Sequence, residues 1–219
     1  MTIRKPSFLR WLFAQVTANA IVLFARLVTA VRGVWAGADP VAKKRVYFAN
    51  HGSNGDFVLI WTVLPPALRS RTRPVAGSDY WLTSKLKAFI GRDVFNAVLI
   101  DRNTATRTED PVAQMVEALD GGSSLILFPE GTRNVTEDLL LPFKPGLFHL
   151  AKARPDVELV PTWIDNLTSV MPKGKVIPVP LLCSVTFGTS LTIKDGEDKK
   201  EFLARAQTAL ADLAKEVAE

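Results

Sequence analysis

Four short, largely apolar runs in this chain each stop at a polar or turn-forming cluster: RVYFA at NHGSNGD, AVLI at DRN, SLILF at PEGTRN and VELV at Pro161-Thr162. Runs of this length, bounded in this way, read as strands buried on both faces. Segments with helical spacing lie between them, and the order βαβα closes strands into a parallel sheet covered by helices. In an open sheet of that kind ligands bind outside the carboxyl ends of the strands. Four polar clusters arriving at one edge of one sheet therefore converge on a single site.

The intervening pattern supports this order. After the Asp39-Pro40 break come RVYFAN as strand, DFVLIWTVL as helix, TRPVAG as strand, a helical stretch near Tyr80 to Ile90, and FNAVLI as strand. Val112, Met115, Val116 and Leu119 recur at i, i+3, i+4 and i+7, with Pro111 in the first turn and Gly121-Gly122 following, which predicts a helix over 110–120. SSLILF follows as a buried strand, Phe143 to Arg154 as a helix, and VELVPTWI and CSVTFG as strands. Asp198 and Glu201 are spaced as a capping box. The terminal helix they open carries Phe202, Ala206, Ala209, Leu210, Leu213 and Val217 on a face that should pack on the sheet. The expected fold is α/β, a mostly parallel central sheet flanked by helices, with an N-terminal membrane-associating helical segment. A chain of 219 residues is long enough for one sizeable core. The expected division is residues 1–38 for the N-terminal segment and 39–219 for the α/β unit.

The 27 basic and 22 acidic residues leave a net charge of +5, which suits an anionic phospholipid membrane or a phosphorylated substrate. Nucleic acid is set aside as a partner. The basic residues are scattered, and no helix-turn-helix, zinc-ligand set or aromatic RNA-binding signature occurs. The single cysteine, Cys183, lies in the apolar run LLCSV and reads as a small core residue.

From Phe8 to Val31 the chain is apolar apart from Arg10, Gln15, Thr17, Asn19, Arg26 and Thr29, and Trp11 and Trp35 bracket it with indoles suited to a membrane interface. Three readings compete. A secretory signal would use Arg4 and Lys5 ahead of the apolar stretch and Ala18-Asn19-Ala20 for cleavage. That cut would leave IVLFARLVTAV as a new, uncovered terminus. A single transmembrane helix needs about 20 apolar residues, whereas the longest uncharged run is Trp11 to Ala25; snorkelling of Arg10 and Arg26 would have to rescue it. One or two helices lying in the interface, with Arg10, Arg26 and Arg32 reaching lipid phosphates, fit best. On one ideal helix Arg10, Thr17 and Arg32 gather on one side, and Gln15, Asn19 and Arg26 nearly opposite. The segment does not reduce to one clean amphipathic helix.

His51 and Asp56 are too far round a regular helix to touch, so a turn must intervene, and Gly52 and Gly55 permit one. With Asp56 opening the following helix, its carboxylate can fold back to accept the imidazole N–H. A histidine held in this way is suited to taking a proton from a hydroxyl. Ser53 does not sit in the G-x-S-x-G elbow of a serine nucleophile, so the attacking hydroxyl is expected from the substrate. His149, amid the apolar GLFHLAKA, reads as structural. Arg102 and Arg133 each follow a buried strand and offer a planar fork to a phosphate; salt bridges with Asp101 and Glu130 are the alternative. Gly131 lets backbone amides approach an anion, and Lys144 in PFKPG is either a phosphate contact or a solvated helix start.

With NHGSNGD, NAVLIDR, FPEGTRN and LVPTWI in order over residues 45–163, the sequence resembles the glycerolipid acyltransferases that include 1-acylglycerol-3-phosphate acyltransferases. Asn96 stands where that family usually has glycine, and Leu99 where it has phenylalanine. The resemblance implies His51 and Asp56 as a charge-relay pair, and Arg102, Glu130, Gly131, Thr132 and Arg133 as the site for the acceptor phosphate. It implies that Pro161 shapes the acyl-donor side. The implied reaction is direct transfer from acyl-CoA or acyl carrier protein to the 2-hydroxyl of a lysophospholipid, 1-acyl-sn-glycerol-3-phosphate, with no metal, cofactor or acyl-enzyme. Another lysophospholipid, an ornithine lipid or glycerol-3-phosphate stays open as acceptor, and so does a non-catalytic lipid-binding role. Because such donors are cytosolic, the expected location is the cytoplasmic face of a membrane.

Overall fold

The computed structural model describes residues 7–103, 105, 107–165 and 183–218; Arg4 and Lys5 lie outside them. Among these, seven strands form one sheet: β1 (Arg32–Trp35), β2 (Arg45–Ala49), β3 (Thr72–Gly77), β4 (Val98–Ile100), β5 (Ser124–Leu127), β6 (Glu158–Asp165) and β7 (Ser184–Phe187). Their order is β1-β7-β6-β2-β5-β3-β4. Every neighbouring pair is parallel except β6 and β7. The five strands from β6 to β4 therefore share one carboxyl edge.

Alternation along the strands sorts the core into two layers. Tyr47 and Ala49 of β2 face Leu59 and Ile60 of α2 (Asp56–Val63) and the small residues of α1 (Phe8–Thr29). Val46 and Phe48 face Met115 of α6 (Pro111–Asp120), Leu147 of α7 (Gly146–Ala153) and Phe202 of α8 (Lys199–Ala218). The expected caps form. Asp110 accepts from the Val112 amide at 3.1 Å. The Asp198 amide donates to Glu201 at 3.2 Å while the Glu201 amide donates to Asp198 at 2.9 Å, the reciprocal pair of a capping box.

Four departures from the expected pattern have local causes. The stretch from Tyr80 to Ile90 is two short helices, α4 (Ser78–Trp81) and α5 (Lys85–Phe89), followed by a π-helical turn, Ile90–Val94. Ser84 interrupts it by capping α5 through the Lys87 amide at 3.2 Å. The helix expected from Phe143 starts only at Gly146, because the Lys144 amide is drawn to the Pro129 carbonyl at 2.7 Å. Residues 32–35, on the N-terminal side of the expected 38/39 division, are the edge strand β1, paired with β7. Finally, Pro161-Thr162 is not a cluster at a strand's end: β6 runs through it to Asp165, in keeping with the strand read over VELVPTWI, with Pro161 opposite Phe48. The Pro161 carbonyl accepts from Gly188, just past the end of β7. A residue's N–H and C=O point to the same side of a strand, so the amide that proline lacks would have faced Gly188, beyond the last paired residue of β7.

Within the N-terminal segment, α1 is one continuous helix with two apolar faces. Ala14, Ala18, Val22, Ala25 and Thr29 form the buried stripe, at the spacing of one helix face. Roughly opposite, Leu9, Phe13, Val16, Leu23, Phe24 and Leu27 point outward, with Leu9 75% and Leu27 73% exposed. The two polar groups noted in the sequence, one with Arg10 and Thr17 and one with Gln15, Asn19 and Arg26, are the flanks between these faces. Arg10 closes a two-bond ion pair with Asp93 at 2.8 and 2.7 Å, tying the helix to the π turn. Ala18, in the triplet that a signal peptidase reading would use, is buried in mid-helix. Replacing it with leucine, Ala18→Leu, should overpack the stripe and lower stability by ~1–3 kcal/mol. Phe24→Ser on the outer face should change it by less than ~0.5 kcal/mol. Thermal denaturation in detergent-free buffer separates the two.

Candidate active site

At the carboxyl edge β2 gives way to Asn50 and then to the loop that carries His51 into α2. Asn50 bridges to β6 with both ends of its amide: Nδ2 donates to the Ile164 carbonyl at 3.0 Å and Oδ1 accepts from the Ile164 amide at 2.8 Å. Strand pairing between β2 and β6 ends at Ala49 and Thr162, so this side chain continues the link one step further. The next residue, His51, is held from three directions. Its backbone amide donates to Glu130 at 2.9 Å, its carbonyl accepts from the Asn134 amide at 2.6 Å, and its ring stacks on Phe128 with centroids 4.2 Å apart.

Asp56 is the first residue of α2 and only 2% exposed. One of its oxygens, Oδ2, meets the Gly52 amide at 2.8 Å, the Ser53 amide at 2.9 Å and His51 Nδ1 at 2.8 Å. An ionised carboxylate only accepts, so Nδ1 is the donor in this pair and Nε2 keeps its lone pair. The helix N-terminus further favours the negative charge. Ser53 is occupied locally, its Oγ accepting from the Gly55 amide at 3.2 Å. The His51 side chain remains 20% exposed and opens on a cleft of about 300 Å³. Its other walls are the loop with Thr136, Glu137 and Leu139 and the end of β6 from Trp163 to Asp165.

The residues expected at a phosphate site divide into three groups. Glu130 is buried, and both its oxygens are taken: Oε1 by the His51 amide and Oε2 by the Leu141 amide at 2.8 Å. Burial pushes its carboxyl above the usual carboxylate range, and the two amides pull it partly back. Glu130 therefore positions the His51 loop, with each oxygen already engaged by a backbone amide. Thr132 and Arg133 are exposed, and Arg133 forms no ion pair or hydrogen bond among the described residues. Arg133 precedes Asn134, whose amide is bonded to the His51 carbonyl, so its backbone follows the His51 loop by one residue. Gly131 adopts φ +71°, and a Cβ there would stand 3.1 Å from Lys144 Cγ. The glycine lets the turn and the exposed Lys144 lie against each other.

Arg102 is elsewhere along the edge. It forms a two-bond pair with Asp79, at 3.0 and 2.6 Å, and this pairing holds the Asp79 carboxyl below its ordinary range. The partner is Asp79 of α4, which follows β3, two places from β2 in the sheet, and not its neighbour Asp101. The pair crosses Gly77, where a Cβ would fall 2.3 Å from Asp79 Oδ1. Asn96 sits at φ +48°, so the position where glycine is usual does need a left-handed backbone, which asparagine tolerates. Pro161, expected on the donor side, is buried within β6 and lines a hollow against α8 with Asp212 and Leu213, away from the His51 cleft. His149 is exposed on α7, outside the site and outside the core. Cys183 is buried, and burial pushes its thiol up to about 11.

The double acceptance by Glu130 makes a specific prediction. Glu130→Gln preserves shape but turns an NH₂ toward one of the two backbone amides, leaving a buried donor unmet, which costs ~1–3 kcal/mol. Denaturant unfolding should show that loss.

Three comparisons with known proteins bear on the fold and the family. The family model described as Acyltransferase matches residues 36–165. Among curated proteins, the 1-acyl-sn-glycerol-3-phosphate acyltransferase of Escherichia coli is 28% identical over 185 residues, 80% of this chain and 70% of that one. The enzyme of the same name from Saccharomyces cerevisiae is 27% identical over 222 residues, 98% of this chain and 69% of its own. Among solved structures, the 1-acyl-sn-glycerophosphate acyltransferase PlsC of Thermotoga maritima superposes with a TM-score of 0.68 at 19% identity, over 94% of this chain and 82% of that chain. With its family model spanning more than half its length, the chain belongs to the Acyltransferase family.

Proposed function

We propose that this enzyme transfers a fatty acyl group to the 2-hydroxyl of 1-acyl-sn-glycerol-3-phosphate, giving phosphatidic acid. The observation that carries the reading is His51, fixed by Asp56 through Nδ1 and open to the cleft through Nε2. The names of its relatives supply the acceptor. In the reaction His51 Nε2 takes the proton of the acceptor hydroxyl as its oxygen attacks the thioester carbonyl of acyl-CoA or acyl carrier protein. The C–S bond of the tetrahedral intermediate then breaks, and the imidazolium returns the proton to the leaving thiolate. Asp56 stabilises the imidazolium between these steps.

Charge orients the acceptor. The cleft walls include Glu137, Asp138 and Asp165, which repel a phosphate, whereas Arg133 is unpaired among the described residues and Lys144 is exposed nearby. The phosphate is therefore held at Arg133 and Lys144, outside the carboxylate-lined part of the cleft. Arg102 joins them only if it leaves Asp79. The outer face of α1 beds into an anionic membrane with the helix lying flat, because its inner face is committed to the protein along the length of the stripe. A cytosolic thioester donor then places the enzyme on the cytoplasmic face.

The test is to incubate purified protein with radiolabelled oleoyl-CoA and, in parallel, lysophosphatidate, glycerol-3-phosphate or lysophosphatidylcholine. Phosphatidate should form from lysophosphatidate, and His51→Ala should reduce its rate by ~10²- to 10⁴-fold. Preferred acylation of another acceptor would sink the substrate assignment, and a His51→Ala variant as fast as wild type would sink the mechanism. Arg133→Ala should raise the acceptor KM by ~10- to 100-fold, the loss of a charge-assisted contact, and leave the donor KM nearly unchanged. Equal shifts in both constants would remove Arg133 from the phosphate site.

A further inference from the structure

We propose that the α4–α5 segment is a second lipid contact, acting with α1 to seat the carboxyl edge of the sheet on an anionic bilayer. The proposal rests on the membrane reading above and adds a surface the N-terminal helix does not contain. In this segment Tyr80 and Leu82 are each 43% exposed and Leu86 is 67% exposed. They are not the loose tip of a loop. Trp81 turns inward, with its ring 5.9 Å from Phe57 and 6.3 Å from Phe95, and packs over Gly91.

The patch is continuous with the outer face of α1. Phe13, on that face, meets Phe89 of α5 with ring centroids 5.5 Å apart. Leu86 lies three residues before Phe89, one turn along the same helix face. Its charge also suits anionic lipid. Lys85 and Arg92 are exposed and form no ion pair among the described residues, and the Lys87 ammonium lies 4.1 Å above the Tyr80 ring. The acidic groups of this segment are already neutralised, Asp79 by Arg102 and Asp93 by Arg10. Apolar side chains flanked by unpaired cations are what a headgroup region accepts.

The segment also has the right position. It begins at Ser78, directly after β3 ends at Gly77, on the edge where His51 follows β2. Contact with α1 alone leaves the domain free to roll about the helix axis. A second contact fixes that roll and turns the edge bearing His51 toward the headgroups, so that a lysolipid reaches the imidazole without leaving the bilayer.

Co-sedimentation of the full chain with phosphatidylcholine vesicles, with and without phosphatidylglycerol, tests this. The double variant Leu82→Ser/Leu86→Ser should bind the anionic vesicles at least ~tenfold more weakly than wild type while keeping its Tm. It should also lose turnover on lysophosphatidate embedded in vesicles and retain it on a water-soluble short-chain lysophosphatidate. Leu86→Ala, a milder change that protects the test against misfolding of the double variant, should weaken binding by ~threefold. Lys85→Gln should weaken binding to the anionic vesicles only. Vesicle binding by the double variant equal to wild type overturns the proposal. A wild-type protein that stays in the supernatant overturns the membrane reading itself, and the proposal with it. A dimer of the wild type that the double variant abolishes, with vesicle binding unchanged, assigns the patch to a second copy of the chain instead.

Discussion

The site depends on a buried carboxylate that no lysine or arginine among the described residues neutralises. Asp56 is stabilised by the Gly52 and Ser53 amides and by the imidazole N–H, all at one oxygen. Such a group is tolerated in the interior only when its donors are in place, so the carboxylate and the turn specify each other. The turn cannot relax without stranding a charge, and the charge cannot be buried without the turn. Placing Asp56 at the first position of α2 couples this to the fold, because α2 is seated by Leu59, Ile60 and Trp61 in the core beneath α1. The orientation of one imidazole is thus maintained by packing that extends to the N-terminal helix.

A second carboxylate, Glu130, plays the complementary part from the neighbouring strand. It joins the His51 amide to the Leu141 amide, and Asn134 returns a bond to the His51 carbonyl. The FPEGTRN segment is therefore a frame around His51 that also carries the exposed Arg133, with Lys144 from the following loop packed against its Gly131. One short stretch thus holds the His51 loop from one side and leaves on the other a cation unpaired among the described residues. Rigid support of this kind keeps reacting atoms within the narrow range that proton transfer requires.

Much of this was legible before the fold was known, and the exceptions are instructive. The strands and α6 could be read because apolar runs and 3.6-residue spacing report burial directly, and the proximity of His51 to Asp56 follows from two glycines and a helix start. The role of Glu130 was not legible, since a buried acceptor of two backbone amides and a phosphate-site residue look alike in FPEGTR; only the partners distinguish them. Pro161 reads as a strand's end as well as part of VELVPTWI, and the strand accommodates it because the rung it cannot make falls beyond β7. Arg102 could not be matched to Asp79, 23 residues earlier, since ion pairs across a sheet edge leave no periodic trace. The low amphipathicity of residues 8–29 had a definite cause. Two apolar faces on opposite sides cancel in any one-sided measure, while the polar residues between them are the visible clue.

The chain passes from α1 to β1 with two residues between them, and the junction is sewn to β7 by the Cys183 amide donating to the Thr29 carbonyl at 3.1 Å and the Arg32 amide donating to the Cys183 carbonyl, also at 3.1 Å. β1 is in turn the cover of β7, with Trp35 stacked on Phe187 at 4.1 Å. The apolar N-terminal helix and the strand that closes the sheet are consequently one continuous lever. A shortened, more tractable protein obtained by trimming this apolar leader through Trp35 would bare an unprotected strand margin, the kind of surface that templates fibrous self-association. The protection of this sheet margin thus depends, in part, on the molecule's greasiest segment.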